Sequence, residues 1–263
     1  MASIPKAMTI AGSDSGAGAG IQADLKTFAA LGVYGTSAIT AITAQNTLRV
    51  TDILELPTSL IRSQIDAIIT DIGADAVKTG MLSSSAIIEA VAQKVEEHGL
   101  TTLVVDPVMV AKGGDRLLQE EAVGTLRGRL LPLALVITPN IPEAEVLIGR
   151  EIHNIADVRS AAQQLVEMGA RAAVVKGGHL DGPATDVLYD GASFREYTTE
   201  RIPSTNTHGT GCTFASAIAA GLAKGLDVPE SVAQAKQYVT TAIREAFEIG
   251  GGHGPLNHFF ALR

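Results

Sequence analysis

The sequence predicts one α/β sandwich, a mostly parallel sheet covered by helices on both faces, and three observations lead there. Short β-like runs alternate with helical periodicity along the whole chain. Several of those runs are apolar on both faces, as strands in the middle of a helix-covered parallel sheet must be. Most of them end in polar or glycine-bearing segments, the place where open α/β sheets hold ligands.

Taken in order, the β-like runs fall at 7–11, 37–42, 76–79, 102–106, 134–138 and 172–176. Helical patterns are expected near 20–31, 59–70, 84–98, 116–130, 142–148, 155–168, 211–224 and 229–248. Leu103-Val104-Val105 and Ala134-Leu135-Val136-Ile137 are the clearest buried strands. In the first helix Leu25 and Phe28 face the core, which leaves Asp24 as an ordinary polar-face carboxylate or something more. Pro142 in the first turn and Glu143 beside the positive end of the dipole start another helix. Two runs at 185–190 and 193–199, joined by Gly191-Ala192, read as a small antiparallel hairpin at one sheet edge. No linker or internal repeat interrupts the pattern, so a single domain is expected over 1–263.

Composition narrows the class of function. With 263 residues and 46% hydrophobic content the chain can bury a large core. A net charge of −8, with no basic run, argues against a nucleic-acid or anionic-membrane partner and favours small molecules. No segment approaches the roughly eighteen apolar residues of a membrane span. One cysteine forms no internal disulfide, and the start of the sequence lacks the pattern of a secretion signal, so a cytoplasmic location is expected.

The most telling segment is Thr207-His208-Gly209-Thr210-Gly211-Cys212, which runs directly into a small, apolar helix. Two glycines let backbone N–H groups approach an anion, and the helix dipole favours negative charge there. Cys212 sits where such a terminus would draw its thiol toward the thiolate. The plain alternatives are a tight connection and a small buried hydrophobe. Gln45, after the second strand, offers a paired donor and acceptor to a planar heterocycle. Asp106 and Glu143 supply hard oxygen ligands for Mg²⁺, unless Glu143 only caps its helix. Lys176, followed by two glycines, is either a strand exit or a positive charge for a transferring phosphoryl group.

Other chemistries are disfavoured. Gly18-Ala19-Gly20 leading to Ala23 matches a dinucleotide motif weakly, and 40–48 holds no acidic residue for a ribose. There is no P-loop pattern, and the six histidines lack metal-ligand spacing. Glycines in 111–115 would permit a flap over the acceptor; an ordinary loop is the alternative.

Together, 11–24, 41–46, 104–109, 138–145, 175–179, 208–214 and 253–258 resemble, in order, the hydroxymethylpyrimidine/phosphomethylpyrimidine kinases of thiamin biosynthesis. The resemblance spans nearly the whole chain and implies a ribokinase-like three-layer α/β/α sandwich that uses ATP and Mg²⁺. It implies that Gln45 holds the aminopyrimidine, with Gly12, Asp24, Met81 and Val108 lining the same pocket. It places Asn140, Lys176, Gly178, Thr210, Gly211 and Lys236 with the nucleotide, and Asp106 and Glu143 with Mg²⁺. Gly209, Thr210 and Gly211 would form the anion hole, with Lys176 on the transferring group. Many ribokinase-like enzymes have an aspartate base after Gly-x-Gly, whereas this chain has Cys212, as do pyrimidine kinases and some pyridoxal kinases. Expected substrates are hydroxymethylpyrimidine and its monophosphate, with pyridoxal as the nearest rival and a homodimer as the implied assembly. A non-catalytic pyrimidine-binding protein is a more distant alternative, because ring binding alone needs none of Asp106, Glu143, Lys176 and Cys212.

Overall fold

The computed structural model describes residues 4–262 apart from 112. Residues 1–3 and Lys112, within the proposed flap, lie outside the described residues. Strand β1 (Lys6–Asp14) shows why the sheet is buried on both faces: Met8 and Ile10 join one core, while Ala7 joins the other. The same alternation divides Leu103 and Val105 from Val104 in β5 (Leu103–Val105). It also divides Ala173 and Val175 from Ala172 and Val174 in β7 (Ala172–Lys176).

Among the described residues the sheet has nine strands in the order β3-β2-β1-β4-β5-β6-β7-β8-β9. The remaining strands are β2 (Tyr34–Gln45), β3 (Val50–Glu55), β4 (Ala76–Thr79), β6 (Val136–Ile137), β8 (Ala184–Tyr189) and β9 (Phe194–Thr199). β1 pairs in parallel with β2 and with β4, and parallel pairing continues to β7. The strand order reverses beside β1, a switch point that opens a crevice at the strands' carboxyl ends.

One face is covered by α1 (Gly20–Ala30), α7 (Thr210–Ala223) and α8 (Val228–Arg244). The other is covered by α2 (Thr58–Asp71), α3 (Ser85–Glu97), α4 (Ala122–Thr125), α5 (Ile141–Ile148) and α6 (Ile155–Glu167). The expected three-layer sandwich and the β8–β9 edge hairpin are both present.

Two elements differ from the sequence reading. β3 is an edge strand, antiparallel to β2 and exposed along most of its length. Its Thr51-Asp52 pair breaks the apolar alternation that marks a strand. The expected helix over 116–130 is broken into α4, a wide π turn at Leu126–Leu130 and a 3-10 turn at Leu131–Leu133. Residues before it are diverted, since the N–H groups of Leu117 and Leu118 bond to the carbonyl of Met109. Pro132 then prevents a regular continuation.

Candidate active site

The loop after β1 is organised by one carboxylate. Asp14 Oδ1 accepts the N–H of Gly16 at 2.8 Å, and Oδ2 accepts those of Gly18 at 3.1 Å and Ala19 at 2.8 Å. His208 Nε2 lies 2.8 Å from the same Oδ2. Burial alone would raise the pKa of Asp14, but the hydrogen bonds from His208 and the backbone outweigh it and hold the carboxyl below its ordinary value. Asp14 thereby joins the β1 loop to the segment that opens α7, 194 residues later.

That segment folds as a tight glycine turn that opens α7. Gly209 caps α7 at φ +82°, and a Cβ there would stand 1.8 Å from the carbonyl oxygen of Gly18. No larger residue fits without moving the β1 loop. Thr210 Oγ1 and N–H both turn back to the carbonyl of Thr207. The N–H groups of Gly211 and Cys212 head the helix, with no backbone acceptor among the described residues. A Cβ on Gly211 would come within 3.2 Å of Lys176 Nζ, so this glycine keeps the ammonium open to the turn.

Charged groups surround the turn. Lys176 Nζ lies 3.3 Å from Asp106 Oδ1, while buried Asp106 Oδ2 has no partner among the described residues. Burial disfavours the Lys176 charge, yet Asp106 and Glu143 raise its pKa above the usual value. Glu143 is pushed up to about 7, chiefly by burial, with Lys176 opposing and Asp106 adding to the rise. Its carboxylate accepts the Asn140 N–H at 2.8 Å while Asn140 Oδ1 accepts the Glu143 N–H at 2.9 Å, a reciprocal cap for α5. Lys236 donates to Ala184 O at 2.8 Å and to Asp186 Oδ2 at 2.9 Å.

These groups line one cleft of about 730 Å³. Of the residues singled out from sequence, the cleft gathers Gly12, Gln45, Met81, Asp106, Val108, Asn140, Glu143, Lys176, Gly178, Gly209, Thr210, Gly211, Cys212 and Lys236. Gln45 Oε1 accepts from Thr43 Oγ1 at 3.1 Å, and its Nε2 lies 3.4 Å from His208 Nε2.

Two expectations are corrected. Asp24 is neither on a polar helix face nor in the cleft lining, because it is fully buried beneath it. It pairs there with Lys78, also fully buried, and accepts hydroxyl protons from Thr9 and Ser216, each at 2.6 Å. Burial disfavours the Lys78 charge, but Asp24 more than compensates and raises its pKa. The Cys212 thiol is not drawn toward the thiolate: burial pushes it up to about 12, with Lys78 opposing and Asp24 and Asp106 adding. The helix terminus does not offset the loss of water around the sulfur. The sequence reading missed His208 and Asp14 as a pair and Lys78 as a buried charge; no local spacing marks partners so far apart.

Comparison with known proteins agrees with this geometry. The phosphomethylpyrimidine kinase family model matches residues 14–257. The hydroxymethylpyrimidine/phosphomethylpyrimidine kinase of Bacillus subtilis is 52% identical over 259 residues, covering 98% of this chain and 96% of that one. The thiamine biosynthesis bifunctional protein ThiED of Geobacter sulfurreducens is 54% identical over 97% of this chain, which spans 52% of that protein's length. Among solved structures, an ADP complex of Bacillus subtilis pyridoxal kinase superposes with a TM-score of 0.92 at 44% identity, covering 99% of each chain. Pyridoxal kinase of Staphylococcus aureus in complex with AMP-PCP and pyridoxal gives 0.89 at 38% identity, over 97% of this chain and 94% of that one. The matched stretch runs from the Asp14 loop through the anion turn to Asn257, and on that ground this chain belongs to the phosphomethylpyrimidine kinase family.

Proposed function

We propose that the protein transfers the γ-phosphoryl group of ATP to the hydroxymethyl oxygen of 4-amino-5-hydroxymethyl-2-methylpyrimidine, and then phosphorylates the monophosphate to the diphosphate. The observation that carries this reading is that one cleft gathers Gln45, the Gly209–Cys212 turn and Lys176. A planar ring held at the amide places its arm toward a turn built for an anion. Use of ATP fits a kinase family whose structural neighbours hold ADP and AMP-PCP.

In the first step the hydroxymethyl oxygen attacks the γ-phosphorus, the bond to the ADP oxygen breaks, and the hydroxyl proton passes to water in the cleft. Lys176 and the N–H groups of Gly211 and Cys212 meet the negative charge of the phosphoryl oxygens. Asn140, Gly178, Thr210 and Lys236 line the nucleotide side. With its thiol neutral, Cys212 fills the floor of the hole and does not act as a standing thiolate base. Phosphoryl transfer tolerates this, since it depends chiefly on positioning and charge. The partnerless buried oxygen of Asp106 suits a hard cation, and Asp106 with Glu143 would hold Mg²⁺. When bound, that ion neutralises phosphate charge.

Pyridoxal is a second acceptor to test, because the pyridoxal kinases of Bacillus subtilis and Staphylococcus aureus share this fold so closely. A homodimer would cover the exposed Ile42, Ile53 and Leu54 of the β2–β3 edge, and the cytoplasm is the compartment that supplies ATP. Among the described residues no helix is long and apolar enough to cross a membrane. The test is ATP consumption with product masses, offering the pyrimidine, its monophosphate and pyridoxal in parallel. Turnover of both pyrimidines establishes the reading, pyridoxal turnover alone replaces it, and turnover of none removes it.

A further inference from the structure

Lys176 ends β7, and residues 177–183 carry the chain from it along the nucleotide side of the cleft to β8. Gly178 and His179 line the cleft on the way. The base of this loop is built into the sheet. Lys176 donates its N–H to Pro139 O at 2.9 Å, and Gly177 donates its own to Oδ1 of buried Asp186 at 3.0 Å. The other oxygen of Asp186 is held by Lys236 at 2.9 Å. A Cβ on Gly177 would stand 1.9 Å from the Thr185 carbonyl oxygen, so the base lies directly against β8.

Beyond Gly177 the chain leaves the β7–β8 ladder, and a Leu180 N–H bond to Gly177 O at 3.1 Å closes one turn. A Cβ on Gly178 would meet no protein atom within 4 Å, so at this point the loop faces open cleft rather than packed neighbours. The stretch is gathered by a side chain from another element. Arg201 Nη1 donates to Gly178 O at 2.8 Å, Nε donates to Gly182 O at 3.1 Å, and Nη2 donates to Leu180 O. One guanidinium thus takes three carbonyls of one loop. Its own position is set by the sheet. Thr199, the last residue of β9, pairs with Ala184, the first of β8, and Arg201 lies just beyond that pair. The loop is therefore tied to β8 at its base and to the end of β9 across its span. The guanidinium is planar, with N–H groups in fixed directions, whereas a lysine ammonium is a point charge without that fork.

We propose that Arg201 is a positioning residue for the nucleotide: by gathering the carbonyls of Gly178, Leu180 and Gly182 it holds the loop after Lys176 in the shape that receives ADP and ATP. The inference deepens the kinase reading above and rests on it. A loop fixed before the ligand arrives spares the complex the cost of ordering it. Without the guanidinium, Gly177 stays anchored by Asp186, while 178–182 loses the contacts that define its course. The effect falls on the nucleotide and not on the acceptor, because Gln45 belongs to β2 and Met81 follows β4, at the other side of the sheet.

The test compares Arg201→Met, which keeps an unbranched apolar stem and removes every donor, with Arg201→Lys, which keeps the charge and loses the fork. Binding of ADP with Mg²⁺ is measured by calorimetry for both variants and the wild type, together with KM for ATP, KM for the pyrimidine and amide hydrogen exchange of the free proteins. Both variants are expected to bind ADP about tenfold more weakly and to raise KM for ATP by the same factor, with KM for the pyrimidine unchanged. Exchange should quicken in 178–183 and stay as it is in β7 and β8. Unchanged ADP binding, a lysine variant that behaves like the wild type, an equal rise in KM for the pyrimidine, or faster exchange spreading through β7 and β8 would overturn the proposal, and so would a wild type that binds no ADP. A wild type that binds ADP but phosphorylates no acceptor would defeat the kinase reading, while the ADP comparison would still decide the role of Arg201.

Discussion

At the scale of single residues, the site depends on atoms that are absent as much as on those present. Gly209 leaves out a Cβ that would stand 1.8 Å from the Gly18 oxygen, at a φ of +82° that side chains rarely adopt. Gly209→Ala is therefore expected to spread the anion turn from the β1 loop and lower kcat roughly 10²- to 10³-fold, the scale of losing one donor of an anion hole. Steady-state kinetics on a variant with an unchanged circular dichroism spectrum checks this. The neutral thiol of Cys212 gives a second expectation. With its pKa near 12, alkylation of the free protein by iodoacetamide should still be rising with pH at pH 10, where an ordinary thiol has levelled off. A plateau below pH 8 would show a thiolate and reopen its role as base.

At the scale of elements, the cleft's floor is tied together by one buried ion pair. Asp24 comes from α1, Lys78 from β4, Thr9 from β1 and Ser216 from α7, and all four meet at the Asp24 carboxylate. Ser216 lies one turn beyond Cys212, so this knot fixes the height of the anion turn above the sheet. Removing one partner leaves a buried charge uncompensated. Lys78→Met is expected to cost about 3–5 kcal/mol in urea unfolding, and adding Asp24→Asn should recover much of that loss, because the remaining charge is then removed. Additive losses in the double variant would contradict this account. The pair was not legible in the sequence: Asp24 sits in a helical pattern and Lys78 at a strand end, and nothing local says that both side chains turn inward.

At the scale of the whole molecule, the C-terminal tail is docked through a histidine kept neutral. His258 is buried against Tyr238 of α8 and Thr27 of α1, and its Nε2 has no partner among the described residues. Burial, with a smaller contribution from Lys26, lowers its pKa to about 4 from an unfolded value of 6.5. The unfolded chain therefore binds this proton first as pH falls. Its contribution is fully present above pH 6.5 and is lost progressively down to about pH 4, a change on the order of 3 kcal/mol. Urea unfolding between pH 7 and 4 should show that slope, and His258→Gln should flatten it. An unchanged slope in the variant would assign the acid sensitivity elsewhere.

The sequence by itself determined the alternation of strands and helices, the parallel sheet, the edge hairpin and many of the residues that line the cleft. These are local signals: periodicity is read within a dozen residues, and residues just past each strand share one edge of any parallel sheet. The turn at Gly209–Cys212 was legible for the same reason, since glycines, helix start and cysteine are contiguous. The tertiary structure decided what depends on distant partners. It buried Asp24 on Lys78, tied Asp14 to His208 across 194 residues, and made Val50–Glu55 a strand by giving it β2 to pair with. It also set the protonation of Cys212, because a thiol's pKa reflects the water and charges around it, and those charges come from Asp24 of α1, Lys78 of β4 and Asp106 just past β5.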